Sequence, residues 1–172
     1  MAVRTCDILT YGLQDADATS QHTFDLARTL AAMGIRPAIH SHNAPRNLPA
    51  DIWPIAQQTT YADYAPTADL TILQYPLWFP LAERFREVTG ARVFWYHGVT
   101  PPEHWPIPGE RDLLRTSQAR TELANYAHLS IAASPFTAAE LRSHAGVPAD
   151  RLRVRRRSAA VYLCNRRKHR AA

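Results

Sequence analysis

Arg92-Val93-Phe94-Trp95-Tyr96-His97-Gly98-Val99-Thr100-Pro101-Pro102-Glu103 is the stretch from which the fold can be read. After its opening arginine the run is apolar on both alternating faces. A strand with two apolar faces is covered on both sides, as in a parallel sheet flanked by helices. The strand delivers His97 at its carboxyl end, and a proline-stiffened loop follows. Just before it, Phe85-Arg86-Glu87-Val88-Thr89-Gly90 reads as a helix stopped by glycine, which tolerates the left-handed conformation that closes a helix. The same grammar recurs on both sides. Leu30-Ala31-Ala32-Met33-Gly34 precedes Arg36-Pro37-Ala38-Ile39-His40, and Ser143-His144-Ala145-Gly146 precedes Arg151-Leu152-Arg153-Val154.

Further strand-length apolar runs lie at residues 5–11, 38–41, 70–75 and 129–133. Thr19 or Ser20 is placed to cap the first helix, whose Phe24, Ala27, Leu30 and Ala31 recur at helical spacing. Ser134-Pro135 forms an N-cap and first-turn pair for the last helix. The order is β-α-β-loop-β-α-β-loop-α-β-α-β. It predicts an α/β fold: a single Rossmann-like domain over residues 1–154, mainly parallel sheet with helices on both faces. Ligands of such sheets bind beyond the carboxyl ends of the strands. Those ends carry Tyr11-Gly12, His40 to His42, Tyr75-Pro76, Tyr96-His97-Gly98 and Ser134.

The charge pattern sets off the last residues. Of the 172 residues, the first 150 hold 11 arginines, no lysine and all 15 acids, a net of −4, whereas the remaining 22 hold nine bases and no acid. The overall +5 therefore reports a basic tail, residues 155–172, read as disordered and solvated. Clustered arginines there could meet phosphate backbones or anionic lipid, but nothing upstream resembles a nucleic-acid-reading module, and no specific nucleic-acid partner is expected. No run approaches membrane-span length and the N-terminus lacks the pattern of a secretory signal, so the expected location is cytoplasmic, with peripheral membrane contact as an option. Cys6 and Cys164 form no CxxC or zinc spacing, and no structural disulfide is expected.

The loop after the first strand, Tyr11-Gly12-Leu13-Gln14-Asp15-Ala16-Asp17-Ala18-Thr19-Ser20-Gln21-His22, has one glycine. It matches neither the dinucleotide fingerprint nor the phosphate loop, which disfavours NAD and ATP sites. A helix starting there still aims free N–H groups and a positive dipole end at the cleft, suited to an anion or a hydroxyl-rich ligand. His97 can hydrogen-bond a sugar hydroxyl or phosphate, or exchange a proton near neutral pH. His40 and His42 share a strand face and could bind metal, but no third ligand is near, so a solvated strand end is preferred and no metal site is expected. Pro76-Leu77-Trp78-Phe79-Pro80-Leu81 reads as a turn into a helix whose aromatics pack, with a lipid- or acceptor-facing patch as the alternative.

Together these motifs resemble the N-terminal domain of a family 4 glycosyltransferase. The resemblance rests on the Asp17 to His22 loop, the Asp69-Leu70-Thr71-Ile72-Leu73-Gln74-Tyr75 strand, Tyr96-His97-Gly98-Val99-Thr100-Pro101-Pro102-Glu103, and Ala132-Ala133-Ser134-Pro135-Phe136-Thr137-Ala138-Ala139-Glu140-Leu141. It implies the N-terminal half of a GT-B fold, two Rossmann-like domains facing a cleft. The implied activity is transfer from a nucleotide-diphosphate sugar to a sugar or glycan acceptor, with retention and without a metal or other cofactor. On this resemblance His97 is the catalytic candidate, and Gly12, Asp17, Thr19, Ser20, Gln21, Tyr96, Thr100 and Ser134 are substrate-binding candidates. Leaving-phosphate stabilisation then falls to helix dipoles and neutral donors.

Two departures stand out. Gly98 takes the place of an asparagine frequent after that histidine. The donor-binding domain, with its basic pair and paired glutamates, has no counterpart, and the arginine-rich run replaces a proline-containing linker. The expectation is a truncated or frameshifted acceptor-side half, inactive alone, unless a separate chain supplies the donor domain. The alternatives are a non-catalytic carbohydrate- or protein-binding module, and a nucleic-acid binder acting through the basic tail.

Overall fold

The structure, a computed structural model, describes residues 2–15 and 17–155. Its strands are β1 (Thr5–Thr10), β2 (Arg36–Ser41), β3 (Ala56–Gln58), β4 (Leu70–Tyr75), β5 (Ala91–Tyr96), β6 (Leu129–Ala132) and β7 (Leu152–Val154). All pair in parallel, in the order β3-β2-β1-β4-β5-β6-β7. The chain therefore winds outward one way from β1 and the other way from β4. The reversal leaves a crevice at the carboxyl ends of these two strands, where ligands of open α/β sheets bind.

Period-two side-chain alternation sorts the strands' apolar residues into two cores. Cys6, Ile8, Ile39 and Ile72 face α1 (Ala18–Ala32), meeting Phe24, Ala27 and Leu30, which lie three residues apart on one helical stripe. Leu9, Leu73, Tyr75, Phe94 and Tyr96 face the other way. They pack against Phe79, Phe85, Leu123 and Leu141, the last from α3 (Pro135–Ala145). Burying each large side chain of this kind stabilises the fold by roughly 2 kcal/mol. The helix α2 (Arg111–Ala119) lies on this second side through the buried Ser117, whose hydroxyl accepts from the Trp78 amide at 2.8 Å.

Two of the three expected glycine stops are found. Gly34 has φ 79° just after the α1 C-cap, and Gly146 has φ 66° as the C-cap of α3. The third differs. The segment before Gly90 is a 3-10 coil, Pro80–Glu87, that ends in extended backbone at Val88. Gly90 itself does not adopt a left-handed φ; it is needed for space, because a Cβ there would come within 2.5 Å of the Ala68 carbonyl oxygen. The start of α1 also lies upstream of expectation. Asp17, not Thr19 or Ser20, is the N-cap, its carboxylate accepting from the Ser20 amide at 2.7 Å. β3 was not expected, for Ala56-Gln57-Gln58 has no apolar alternation and pairs on one side only.

The last strand, β7, ends at Val154, and the Arg155 amide just after it donates to the Ala132 carbonyl at 2.9 Å. The basic tail beyond it, with Cys164, lies outside the described residues, and so does the expectation that it is disordered. Cys6 is a buried free thiol. Among the described residues no helix is long and apolar enough to cross a membrane.

Candidate functional site

A cleft of about 600 Å³ opens over the carboxyl ends of β1, β2 and β4. Tyr11, Gly12, Asp17, Thr19, Ser20, Asn43, Arg46, Pro76 and Leu77 are among its lining residues. It lies at the winding reversal, with the N-terminus of α1 on one side.

The entry to α1 is tied down by its own side chains. Asp17 Oδ2 accepts from the Ser20 amide at 2.7 Å and from the Ser20 hydroxyl at 2.8 Å, and that hydroxyl accepts from the Gln14 amide at 3.1 Å. Ser20 and Asp17 thus hold the loop together. The backbone amides of Ala18 and Thr19, at the first two helical positions, have no carbonyl within the helix to bond, and they carry its positive dipole end toward the cleft. Gly12 forms part of the floor. A Cβ there would meet Asn43 Nδ2 at 3.6 Å, ordinary contact, and its φ is not left-handed. Neither strain nor collision demands glycine at this position; a side chain would stand in the cleft. Arg46 is exposed, with its backbone held by the Leu13 carbonyl at 3.0 Å.

His97 does not line this cleft but stands at its β4–β5 side, in a cluster that the sequence did not show as a unit. His97 Nε2 lies 2.5 Å and His22 Nδ1 3.2 Å from the same atom, Gln74 Oε1. The two imidazole rings are 5.3 Å apart, and His22 packs edge-on against Trp95 at 4.4 Å. Gln74 is fully buried on β4, in register with Trp95 on β5. Among the described residues, Gln74 Nε2 and Trp95 Nε1 are both buried without a hydrogen-bond partner. Burial, then the neighbouring His22 and Arg155, lowers the His97 pKa to about 4. Burial and Arg155 lower that of His22 as well. Both rings are accordingly neutral at physiological pH.

The remaining candidates scatter. Gln21 is exposed and donates to Asp15 Oδ1 at 3.2 Å. Tyr96 has no exposed surface; it is a core side chain whose hydroxyl accepts from the Val99 amide at 3.1 Å, shaping the turn after β5. Burial and Glu140 push its phenol up to about 12. Thr100 is exposed. Ser134 caps α3 in a reciprocal box with Thr137, as its position before Pro135 foretold. His40 departs from the expected solvated strand end. Its side chain is 12% exposed, with Nε2 3.5 Å from Asp7, Nδ1 3.0 Å from Thr59, and Tyr64 packed on the ring at 4.9 Å. Among the described residues no group of three or more His, Cys, Asp or Glu side chains is placed to hold a metal. Phe79 is buried and Trp78 Nε1 donates to Glu83 at 2.8 Å, so the aromatics after β4 pack, while Leu77 turns to the cleft.

Gly98 has a structural explanation. Its φ is 96°, and a Cβ would stand 2.9 Å from Thr137 Cγ2 in the α3 capping box. Gly98→Asn is therefore expected to destabilise the domain by about 1 to 2 kcal/mol through strain and crowding. A urea midpoint equal to that of the unsubstituted protein would contradict this.

An open, all-parallel sheet with a cleft at its winding reversal defines a Rossmann-like domain. Comparison of the chain with known proteins narrows the class. The sequence model of glycosyltransferase family 4 matches residues 19–157, most of the chain, and the chain belongs to that family. Its fold is similar to that of an α-glucosyltransferase in complex with UDP and a 13-mer DNA containing a HMU base (11% identity, TM-score 0.61, 90% of this chain and 42% of that one). It is likewise similar to WaaG, a glycosyltransferase involved in lipopolysaccharide biosynthesis (11% identity, TM-score 0.58, 87% and 44%). These are GT-B glycosyltransferases, and the chain spans less than half the length of each. No curated protein sequence matches it.

Proposed function

We propose that this domain is the acceptor-side half of a retaining, nucleotide-sugar-dependent glycosyltransferase, binding a sugar or glycan acceptor and requiring a second Rossmann-like domain to bind the donor. The observation that carries the reading is the cleft at the β1–β4 reversal. Its glycine floor, the positive dipole end of α1, Asn43 and the Arg46 guanidinium suit a hydroxyl-rich ligand that also carries negative charge. His97, neutral at the cleft's side, supplies a hydrogen-bonding group that does not change charge near pH 7. Such fixed dipoles and neutral groups suit an oxocarbenium-like transition state, in which stabilising the leaving phosphate matters more than a strong base. The buried free thiol of Cys6 fits a cytoplasmic setting.

Two measurements test this. Incubated alone with UDP-glucose, UDP-galactose or GDP-mannose, the chain should release no UDP or GDP; turnover without a partner domain would contradict the reading. On an immobilised glycan panel the chain should bind, and Gly12→Leu should weaken that binding at least tenfold while leaving the melting temperature unchanged. Failure of the unsubstituted chain to bind any glycan, or full binding by Gly12→Leu, would count against it.

A further inference from the structure

The histidine pair raises the question of what holds His97 neutral and in one orientation. Both ring nitrogens nearest Gln74 point at its amide oxygen, Nε2 of His97 at 2.5 Å and Nδ1 of His22 at 3.2 Å. An oxygen with no hydrogen can satisfy both only if each nitrogen carries its own. His97 is then the Nε2–H tautomer and His22 the Nδ1–H tautomer. We propose that Gln74 is a positioning residue that fixes His97 as the Nε2–H tautomer, so that His97 meets its ligand through the Nδ1 lone pair, as an acceptor from a hydroxyl rather than a donor to a phosphate oxygen.

Several features of the surroundings support a fixed arrangement. Gln74 has no exposed surface, and its neighbours along β4, Leu73 and Tyr75, are also fully buried. The His22 ring that shares the amide is itself wedged against Trp95 at 4.4 Å. Gln74 shares β4 with one other buried polar side chain, Thr71, and only the oxygen of its amide is hydrogen-bonded among the described residues, so the contacts to the two rings are what offset its burial. The chemical consequence is selective. An acceptor at Nδ1 recognises a ligand O–H and repels a phosphate or carboxylate oxygen, so the charged part of any ligand belongs on the α1 and Arg46 side and a sugar hydroxyl on the His97 side. This deepens the proposed function and rests on it for the identity of the ligand, but the tautomer itself does not depend on that reading.

The test is the long-range proton–nitrogen NMR spectrum of the ¹⁵N-histidine-labelled chain without ligand at pH 7, with resonances assigned through His97→Asn and His22→Phe. The expected spectrum shows His97 protonated on Nε2 alone. A His97 protonated on Nδ1, which the opposite setting of the Gln74 amide would produce, overturns the proposal. Gln74→Leu should release His97 into a mixture of tautomers; an unchanged spectrum in the folded variant also overturns it. Gln74→Glu keeps size and acceptor, and it guards against a misfolded leucine variant. It should preserve the Nε2–H form and raise the His97 titration by about one unit or more, with His22 on α1, Asp17 at its N-cap and Arg155 after β7 still in place. No upward shift would again overturn it. Absence of glycan binding alongside the expected tautomer would count against the proposed function alone.

Discussion

Gly90→Ala should strongly destabilise the domain. The added methyl would stand 2.5 Å from the Ala68 carbonyl oxygen, 2.6 Å from that of Asp69 and 2.8 Å from the Asp69 carbonyl carbon. These are backbone atoms at the entry to β4, unable to rotate away as a flexible side chain could. The Asp69 carbonyl also accepts from the Ala91 amide at 2.8 Å, so moving it breaks the first rung between β4 and β5. The Asp69 side chain is equally committed, accepting from the Arg4 and Thr5 amides at 2.8 and 3.0 Å, which hold its carboxyl below the usual range. Displacement at this crossing would therefore disturb β1, β4 and β5 together. An overpacked core site costs about 1 to 3 kcal/mol, and rigid backbone on the receiving side places Gly90→Ala at roughly 3 kcal/mol or more. That is a large part of the roughly 5 to 15 kcal/mol of a whole domain. Gly109→Ala, where a Cβ meets nothing within 4 Å, is the control. Equal urea midpoints for the two variants would refute the argument.

Acidification should destabilise the domain through His97 in a defined window. Its folded pKa of about 4 lies below the usual imidazole value of about 6.5. Below pH 6.5 the unfolded chain takes up a proton that the folded one does not, so stability falls as pH drops from 6.5 toward 4 and levels off beneath that. The full loss is about 3 kcal/mol at roughly 1.4 kcal/mol per unit, and somewhat less to the extent that solvent reaches the ring. His22, lowered in the same direction by burial, adds to the slope. Urea unfolding at pH 7.5, 5.5 and 4.5 should show the decline, and His97→Gln should flatten it. The same slope in His97→Gln would show that other groups set it.

What could be read in the sequence followed from local signals of high information. The apolar runs of β1, β4, β5 and β6, the Gly34 and Gly146 stops, and the Ser134-Pro135 start each announce themselves within a few residues, and together they give the α/β architecture. Gly90 reads as another stop because sequence shows a glycine and a preceding periodicity. It does not show that two carbonyls from residues 68 and 69 crowd that point. β3 escapes because an edge strand with two glutamines has no alternation to detect.

The site divides along the same line. Gly12, Asp17, Thr19 and Ser20 lie together in the cleft because they belong to one loop and one helix end, which a linear reading can see. Gln74 and His22 are separated by 52 positions and meet His97 only through the sheet. The one available hint was a glutamine inside the apolar β4 run. Asn43 and Arg46 come from the loop after β2, whose position beside Gly12 depends on the parallel pairing of β1 with β2.

That pairing has a consequence for how the chain is made. β1 lies at the centre of the sheet, and in its second neighbour, β4, Leu70 pairs opposite Cys6 across a separation of 64 positions. At ribosomal rates of 5 to 20 residues per second, one flank of β1 waits roughly 3 to 13 s for its partner to emerge. Throughout that interval the backbone N–H and C=O groups of Cys6 to Leu9 that will pair with β4 stand open, the kind of strand edge on which nascent chains associate wrongly. The early β1–α1–β2 unit covers the α1 face meanwhile, but not that edge. The step most exposed to error in this domain's biogenesis is therefore the arrival of β4, and chaperone dependence should concentrate there.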